Sequence, residues 1–186
     1  SQIVSSFPFD GRSVEFSRDG SKLLTTGRGG VVVIDLDSGN SVFELEGNRQ
    51  QAAFAPDLPL LATGDKNGTF LWNTKSWERQ ESLPVPAESL LFSPVTNLLA
   101  VQNREGISLL NPGSGTTPIV LEETSRSSPF RSIFQFSPDG RSLILAKNED
   151  SVRDGFSPVI YDVQTGRKTG FLSRNISPTA HSGVIS

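Results

Sequence analysis

The chain has 186 residues with a single histidine, His181, and no cysteine, so few side chains could act as a base or a soft metal ligand. A nucleophile–base pair needs an imidazole or an equivalent base beside the nucleophile. A zinc site needs three or four His, Cys or carboxylate ligands at suitable spacing, and no segment of the sequence provides them. We therefore expect no catalytic residue, no metal site and no cofactor in this chain.

Three polar features resemble ligand sites but are better interpreted as turns. Residues 65–68 read Asp-Lys-Asn-Gly without the later oxygen ligands and final Glu of a calcium loop. Residues 27–30 read Gly-Arg-Gly-Gly but precede no helix that could cradle a phosphate. The third feature is a set of polar residues recurring in register: Asp35, Asn73, Asn111 and Asp162. Recurrence at one repeat position predicts turn capping, not acid–base chemistry.

These residues belong to an internal repeat with two landmarks. The first landmark is a phenylalanine that closes a short apolar run, and the copies are Phe16, Phe54, Phe92 and Phe136, separated by 38, 38 and 44 residues. The second is an apolar–polar pair lying 18 residues after the phenylalanine in the first three copies and 25 after it in the fourth: Ile34-Asp35, Trp72-Asn73, Leu110-Asn111 and Tyr161-Asp162. Two landmarks that share one period indicate a structural repeat.

Each copy is typical of four short strands joined by tight turns. In the first copy we predict the strands Val14–Phe16, Lys22–Thr26, Val31–Leu36 and Ser41–Leu45. The uninterrupted apolar run Val31-Val32-Val33-Ile34 predicts a strand buried on both faces. No segment has helical periodicity over three turns, so the sequence predicts an all-β fold.

The phrases FSPDG and LLA, followed by pairs such as Ile34-Asp35 and Trp72-Asn73 at the place of the family's V-x-x-WD, resemble WD repeats, and the resemblance covers nearly the whole chain. It implies a β-propeller built from four four-stranded blades. The family braces a strand Trp with a His and a turn Asp. Here only Trp72 provides the Trp, and Gly29, Asn67 and Glu105 stand at the turn position of the first three copies. We therefore expect divergent repeats held mainly by apolar packing. The first copy also resembles the related YVTN-type propeller repeat.

The repeat pattern divides the chain as follows: an orphan outer strand 1–7, blades 14–45, 52–83, 90–121 and 133–173, and the start of a further repeat 180–186. WD-type rings are expected to have six to eight blades, so four would leave bare apolar sheet faces. We therefore expect the chain to be part of a larger ring, completed by the same polypeptide, a second chain or a symmetry mate. The alternative is a compact four-bladed ring in which 1–7 pairs with the last blade.

Two segments exceed the regular repeat length, and the resemblance places both on one loop face. They are the interblade link Glu122–Ser132 and the loop Lys147–Pro158. Arginine and exposed aromatic residues commonly anchor interfaces. The candidate partner-binding residues are Arg126, Phe130, Arg131, Arg153 and Phe156. The alternative is that both phenylalanines pack within their loops and the arginines are only solvated.

With 17 basic and 20 acidic residues, the chain has a net charge of −3, which does not favour nucleic acid as a partner. No apolar run is long enough for a transmembrane helix, so we expect no membrane partner. The sequence predicts a non-catalytic interaction or sensor scaffold that binds a protein or peptide through its loop face. The alternative is a propeller that serves a larger enzyme, such as a peptidase, kinase or caspase-like effector, as a regulatory or substrate-recognition domain. The compartment stays open, with the cytoplasm favoured.

Overall fold

In the computed structural model, residues 11–47, 51–123, 133–148 and 156–171 are described, and every regular element among them is a β-strand. The predicted outer strand 1–7 and the predicted repeat start 180–186 lie outside these residues. The strands form four antiparallel sheets of four strands each, in chain order within each sheet. The all-β architecture predicted from the sequence is therefore confirmed.

Sheet 1 contains β1 (Gly11–Phe16), β2 (Lys22–Gly27), β3 (Gly30–Asp35) and β4 (Ser41–Glu46). Sheet 2 contains β5 (Gln51–Phe54), β6 (Leu60–Asp65), β7 (Gly68–Asn73) and β8 (Arg79–Leu83). Sheet 3 contains β9 (Ser89–Phe92), β10 (Leu99–Asn103), β11 (Gly106–Leu110) and β12 (Ile119–Glu123). Sheet 4 contains β13 (Ile133–Phe136), β14 (Ser142–Asn148), β15 (Phe156–Asp162) and β16 (Lys168–Phe171).

Antiparallel order gives every sheet two distinct ends. At one end, called here the turn end, lie the turns that join first to second and third to fourth strands. At the other, called the link end, lie the turns between second and third strands and the links between sheets. Each repeat phenylalanine is the last residue of a first strand, so all four lie towards the turn end.

Polar side chains cap the turns between third and fourth strands in sheets 1, 2 and 4, as the sequence predicted for Asp35, Asn73 and Asp162. In sheet 3 it is the backbone carbonyl of Asn111 that accepts, from the hydroxyl of Ser114 at 2.7 Å. The Asp35 carboxylate accepts hydrogen bonds from the Ser38 N–H at 2.9 Å and the Ser38 hydroxyl at 2.8 Å. Asp162 is capped in the same way by the hydroxyl and N–H of Thr165. These hydrogen bonds stabilise the ionised form and hold the pKa of both carboxyls below the usual range. Asn73 accepts from two backbone N–H groups of its turn.

Apolar side chains form three buried clusters, each between consecutive sheets. One face of sheet 1, including Leu24 and Val33, packs against Phe54 and Leu61 of sheet 2. The other face of sheet 2 packs against Phe92 and its neighbours in sheet 3. The other face of sheet 3 packs against Phe136 and its neighbours in sheet 4. Both faces of an inner sheet are buried, which explains the continuous apolar strands.

A polar bond reinforces the apolar packing within sheet 2. The Trp72 indole N–H donates to the hydroxyl of Thr63 at 2.8 Å, and Thr63 is fully buried. The Trp72 ring also meets Phe43 of sheet 1 edge to face, with centroids 5.0 Å apart. In the one copy that has the Trp, its indole is thus held by a threonine hydroxyl of the same sheet and an aromatic ring of the preceding sheet. No helix among the described residues has the length and apolar character to cross a membrane.

Candidate functional site

A groove of about 240 Å³ crosses the turn end of sheets 1, 2 and 3. Its lining comes from three register-equivalent segments, 15–18, 53–56 and 91–94, where each first strand ends and its turn begins. Because the first strands of neighbouring sheets lie side by side, their ends form a continuous wall. Most of that wall is apolar, with Glu15 and Arg18 at one side.

Glu15 supplies the acid group of this groove. Its Oε1 accepts a hydrogen bond from the backbone N–H of Phe54 in the next sheet at 3.4 Å. Burial of the carboxyl raises the pKa of Glu15 to about 7, and the hydrogen bond from Phe54 lowers it by less. Since the residue as a whole stays exposed, water screens the group and limits its effect on stability. Near neutral pH the carboxyl can therefore both donate and accept hydrogen bonds.

Arg18 connects the turns of sheets 1 and 2 across the groove rim. Its guanidinium donates to the Pro56 carbonyl at 3.3 Å and forms an ion pair with Asp57. The Asp57 N–H in turn donates to the Asn97 side chain in sheet 3 at 3.4 Å. Side chains thus link three consecutive turns, and the rim is held as one unit.

Ser93, at the far side of the groove lining, has a fully buried hydroxyl with no hydrogen-bond partner. The equivalent Ser17 and Ser137 each donate to an aspartate two residues later, at 2.6 Å. In the third copy that position is Val95, which has no acceptor. The lost partner is visible in the sequence, where FSPV replaces FSPD.

The groove offers apolar contact and hydrogen bonding. Among the described residues, no three metal-capable side chains converge on a common point. The groove lining contains no imidazole or thiol, and its guanidinium is already engaged with Asp57 and Pro56. This arrangement suits an apolar side chain of a partner.

Of the sequence-predicted partner residues, only Phe156 lies among the described residues, at the link end and away from this groove. Arg126, Phe130, Arg131 and Arg153 lie outside the described residues. Phe156 is the first residue of β15 and pairs with Asn148 at the end of β14. The prediction that Phe156 belongs to a loop spanning Lys147–Pro158 is therefore wrong. Strand pairing continues further than expected and shortens that loop at both ends.

The groove was not predicted from the sequence, because its residues occupy repeat positions that strand and turn structure alone explain. One feature of the sequence does point to it. The residue before the repeat phenylalanine is Ala53 in the second copy and Leu91 in the third, but Glu15 in the first. A carboxylate at a position that is apolar in the second and third copies and an uncharged Gln135 in the fourth marks a site that the strand pattern alone does not explain.

No protein-family model and no curated protein matches this sequence. Among solved structures, the fold is similar to the β-propeller domain of Cps50 (Swd1) from Myceliophteria thermophila, with a TM-score of 0.69 and 16% identity. That alignment covers 88% of this chain and 55% of the other. The fold is also similar to dihydro-heme d1 dehydrogenase NirN in complex with DHE, with a TM-score of 0.62 and 15% identity.

The second alignment covers 87% of this chain and 36% of NirN, so the chain spans about half the length of the first structure and about a third of the second. Identities of 15% and 16% show the fold alone. The chain has a β-propeller fold, with four four-stranded blades among its described residues.

Proposed function

We propose that this chain is a non-catalytic interaction scaffold that binds a protein or peptide partner through loops held at the link end of sheets 3 and 4. Its blades are divergent repeats of the WD type. A rigid scaffold that presents loops needs little backbone change on binding. The residues proposed to contact the partner are Arg126, Phe130, Arg131, Arg153 and Phe156.

One observation carries the proposal. Both long loops are anchored by strands that begin or end at the link end. There β12 ends at Glu123, β13 begins at Ile133, β14 ends at Asn148 and β15 begins at Phe156. Ile133 is paired with Ala146, so the interblade link and the β14–β15 loop start from neighbouring strands. Two loops with adjacent anchors can present one contact surface. The single histidine and the lack of cysteine support a non-catalytic role.

The test is capture of partners by the intact protein and by a variant in which Arg126, Arg131 and Arg153 are all changed to alanine. We expect a partner bound by the wild type to be lost, because interface arginines commonly account for much of the binding energy. A matched control changes Lys75, Arg141 and Arg167, three exposed cations at the turn end, to alanine. If the control and the test variant retain the partner equally, the link-end site is wrong.

The alternative is a propeller that serves a larger enzyme, and it predicts that the parent polypeptide also contains catalytic residues. A hydrolase or kinase motif in the full reading frame would support it. Binding of a partner at the link end by the present chain alone would support the scaffold.

A further inference from the structure

The groove at the turn end, called here the turn-end groove, is apolar in its middle because sheet 2 places small side chains there. The residue before the repeat phenylalanine is Ala53 in sheet 2, where sheet 3 has Leu91. The residue after it is Ala55, where the other three copies have serine. Both alanines line the groove and are buried. Their small volume leaves room between the strand ends of sheets 1 and 3.

Glu15 is the single carboxyl group of the groove lining, and it has no cationic partner among the described residues. Its Oε1 accepts the backbone N–H of Phe54 at 3.4 Å, and neither ion pair of the described residues includes it. The cation of the lining, Arg18, is already paired with Asp57. Burial raises the pKa of Glu15 to about 7, and no nearby positive charge offsets that cost.

The size of the turn-end groove limits what it can accept. Its volume of about 240 Å³ is below the roughly 300–1,000 Å³ of pockets that take drug-sized ligands, so it suits a single side chain. A wholly apolar side chain would cover Glu15 without giving the carboxyl a partner, and burial of an unpaired charge is costly. A side chain with an aliphatic chain and a positive tip complements both the apolar lining and the carboxyl.

We propose that the turn-end groove binds the side chain of a lysine from a peptide or protein partner. The aliphatic chain of the lysine would contact Ala53, Ala55 and Leu91, and its ammonium group would donate to the Glu15 carboxylate. Lysine fits better than arginine because Oε1 of Glu15 already accepts the N–H of Phe54. A guanidinium favours both oxygens of a carboxylate, whereas an ammonium needs one. This site lies at the opposite end of the sheets from the proposed link-end site and does not depend on it.

The primary measurement is a titration of the full, ¹⁵N-labelled chain with short peptides, followed by NMR. One peptide carries a single central lysine between serine and glycine residues, and its control carries norleucine, which keeps the aliphatic chain but lacks the charge. We expect saturable shifts of the Phe54 amide with the lysine peptide, with a dissociation constant of roughly 1 mM for one side chain in a small groove. The norleucine peptide should bind about tenfold more weakly.

A charge substitution tests the role of Glu15. Glu15→Gln removes the charge, but its amide can still accept the N–H of Phe54, so we expect the lysine peptide to bind about tenfold more weakly. The matched control is Glu44→Gln, which changes an exposed glutamate on the outer strand of the same sheet and should leave the affinity unchanged. An equal loss in both variants would show a general charge effect and would overturn the proposal.

A second variant tests the apolar part of the groove. Ala53→Leu gives sheet 2 the residue that sheet 3 has at this position and adds volume to the groove lining, while Glu15 stays in place. We expect it to weaken binding of the lysine peptide about tenfold or more. Urea unfolding verifies that the variant is folded. A folded Ala53→Leu variant with wild-type affinity would contradict the placement of the lysine side chain.

The peptide series on the wild type needs no variant and so tests the proposal even if a substitution prevents folding. No saturable shift with the lysine peptide, equal binding of the norleucine peptide, or tighter binding of an arginine peptide would each overturn it. The link-end variant with Arg126, Arg131 and Arg153 changed to alanine should bind the lysine peptide like the wild type. Failure of the link-end proposal is therefore distinguishable from failure of this one.

Discussion

At the scale of single residues, Trp77 occupies a backbone position that the other copies give to glycine. Its φ of 58° lies in the left-handed region, and the equivalent Gly39 and Gly166 have φ of 71° and 67°. A side chain at such a position costs about 1–2 kcal/mol. The Trp77 ring stacks on Phe43 of sheet 1 with centroids 5.1 Å apart. The aromatic contact between sheets offsets the local strain of the turn.

Two substitutions of Trp77 separate strain from packing. Trp77→Ala keeps the left-handed strain and loses the contact with Phe43, so we expect a loss of about 2–3 kcal/mol in the free energy of unfolding. Trp77→Gly loses the same contact but relieves the strain, and should cost about 1 kcal/mol less. Urea unfolding of both variants measures the difference. Equal or greater destabilisation by glycine would contradict the strain argument.

The raised pKa of Glu15 predicts that the stability of the folded chain depends on pH. Its pKa is raised to about 7 in the folded chain, mainly by burial, so folding favours the protonated form. The unfolded state releases this proton near its ordinary pKa of about 4.5. Stability from this group is therefore present below about pH 4.5 and is lost as pH rises towards 7.

The matching experiment compares the wild type with Glu15→Gln by urea unfolding at pH 5 and pH 8. The amide does not titrate and can still accept the N–H of Phe54. We expect the variant to lose less stability than the wild type between these two pH values. The difference should be small because Glu15 is exposed. An unchanged pH profile would show that the carboxyl is fully solvated.

At the scale of elements, the repeat landmarks predicted where strands end but not how closely their backbones approach. Gly68 opens the third strand of sheet 2, and a Cβ there would lie 2.7 Å from the Leu83 carbonyl oxygen in the adjacent strand β8. Real Cβ atoms do not approach a backbone oxygen so closely. The glycine therefore permits the pairing of β7 with the edge strand.

Gly68→Ala should destabilise the chain by more than about 2 kcal/mol, since the clash falls on backbone that must move. Gly29→Ala is the matched control. Gly29 lies in the equivalent turn of sheet 1, and a Cβ there meets nothing within 4 Å. We expect its effect to stay within about 0.5 kcal/mol. Thermal or urea unfolding of both variants provides the comparison.

Much of the structure of individual strands and turns could be predicted from the sequence. Tight turns, capping by Asp35, Asn73 and Asp162, and strands buried on both faces follow from local pattern and short spacing. Contacts between copies of the repeat do not follow from local pattern or short spacing. The bond from Arg18 to Asp57 joins residues 39 positions apart. The groove depends on three such neighbouring turns, so only the packed sheets reveal it.

At the scale of the whole molecule, two landmarks with one period predicted a repeat fold, and the resemblance to WD repeats implied that it is a β-propeller. It also predicted bare sheet faces at either end of a four-bladed arc, and the exposure of Phe16 and Ile144 supports that expectation. The four described repeats contain no partner for either face. Periodicity within one chain therefore specifies the contacts between blades but not the number of blades in the ring.

The register-equivalent pair Phe16 and Phe92 tests the open face through stability. Phe92 is 6% exposed within the cluster between sheets 2 and 3, so Phe92→Ala should cost about 3–5 kcal/mol. Phe16 is 64% exposed and belongs to none of the described clusters, so Phe16→Ala should cost less than about 1 kcal/mol. Urea unfolding of both variants measures the two costs. Equal costs for both phenylalanines would show that the side of sheet 1 that carries Phe16 is covered within its own chain.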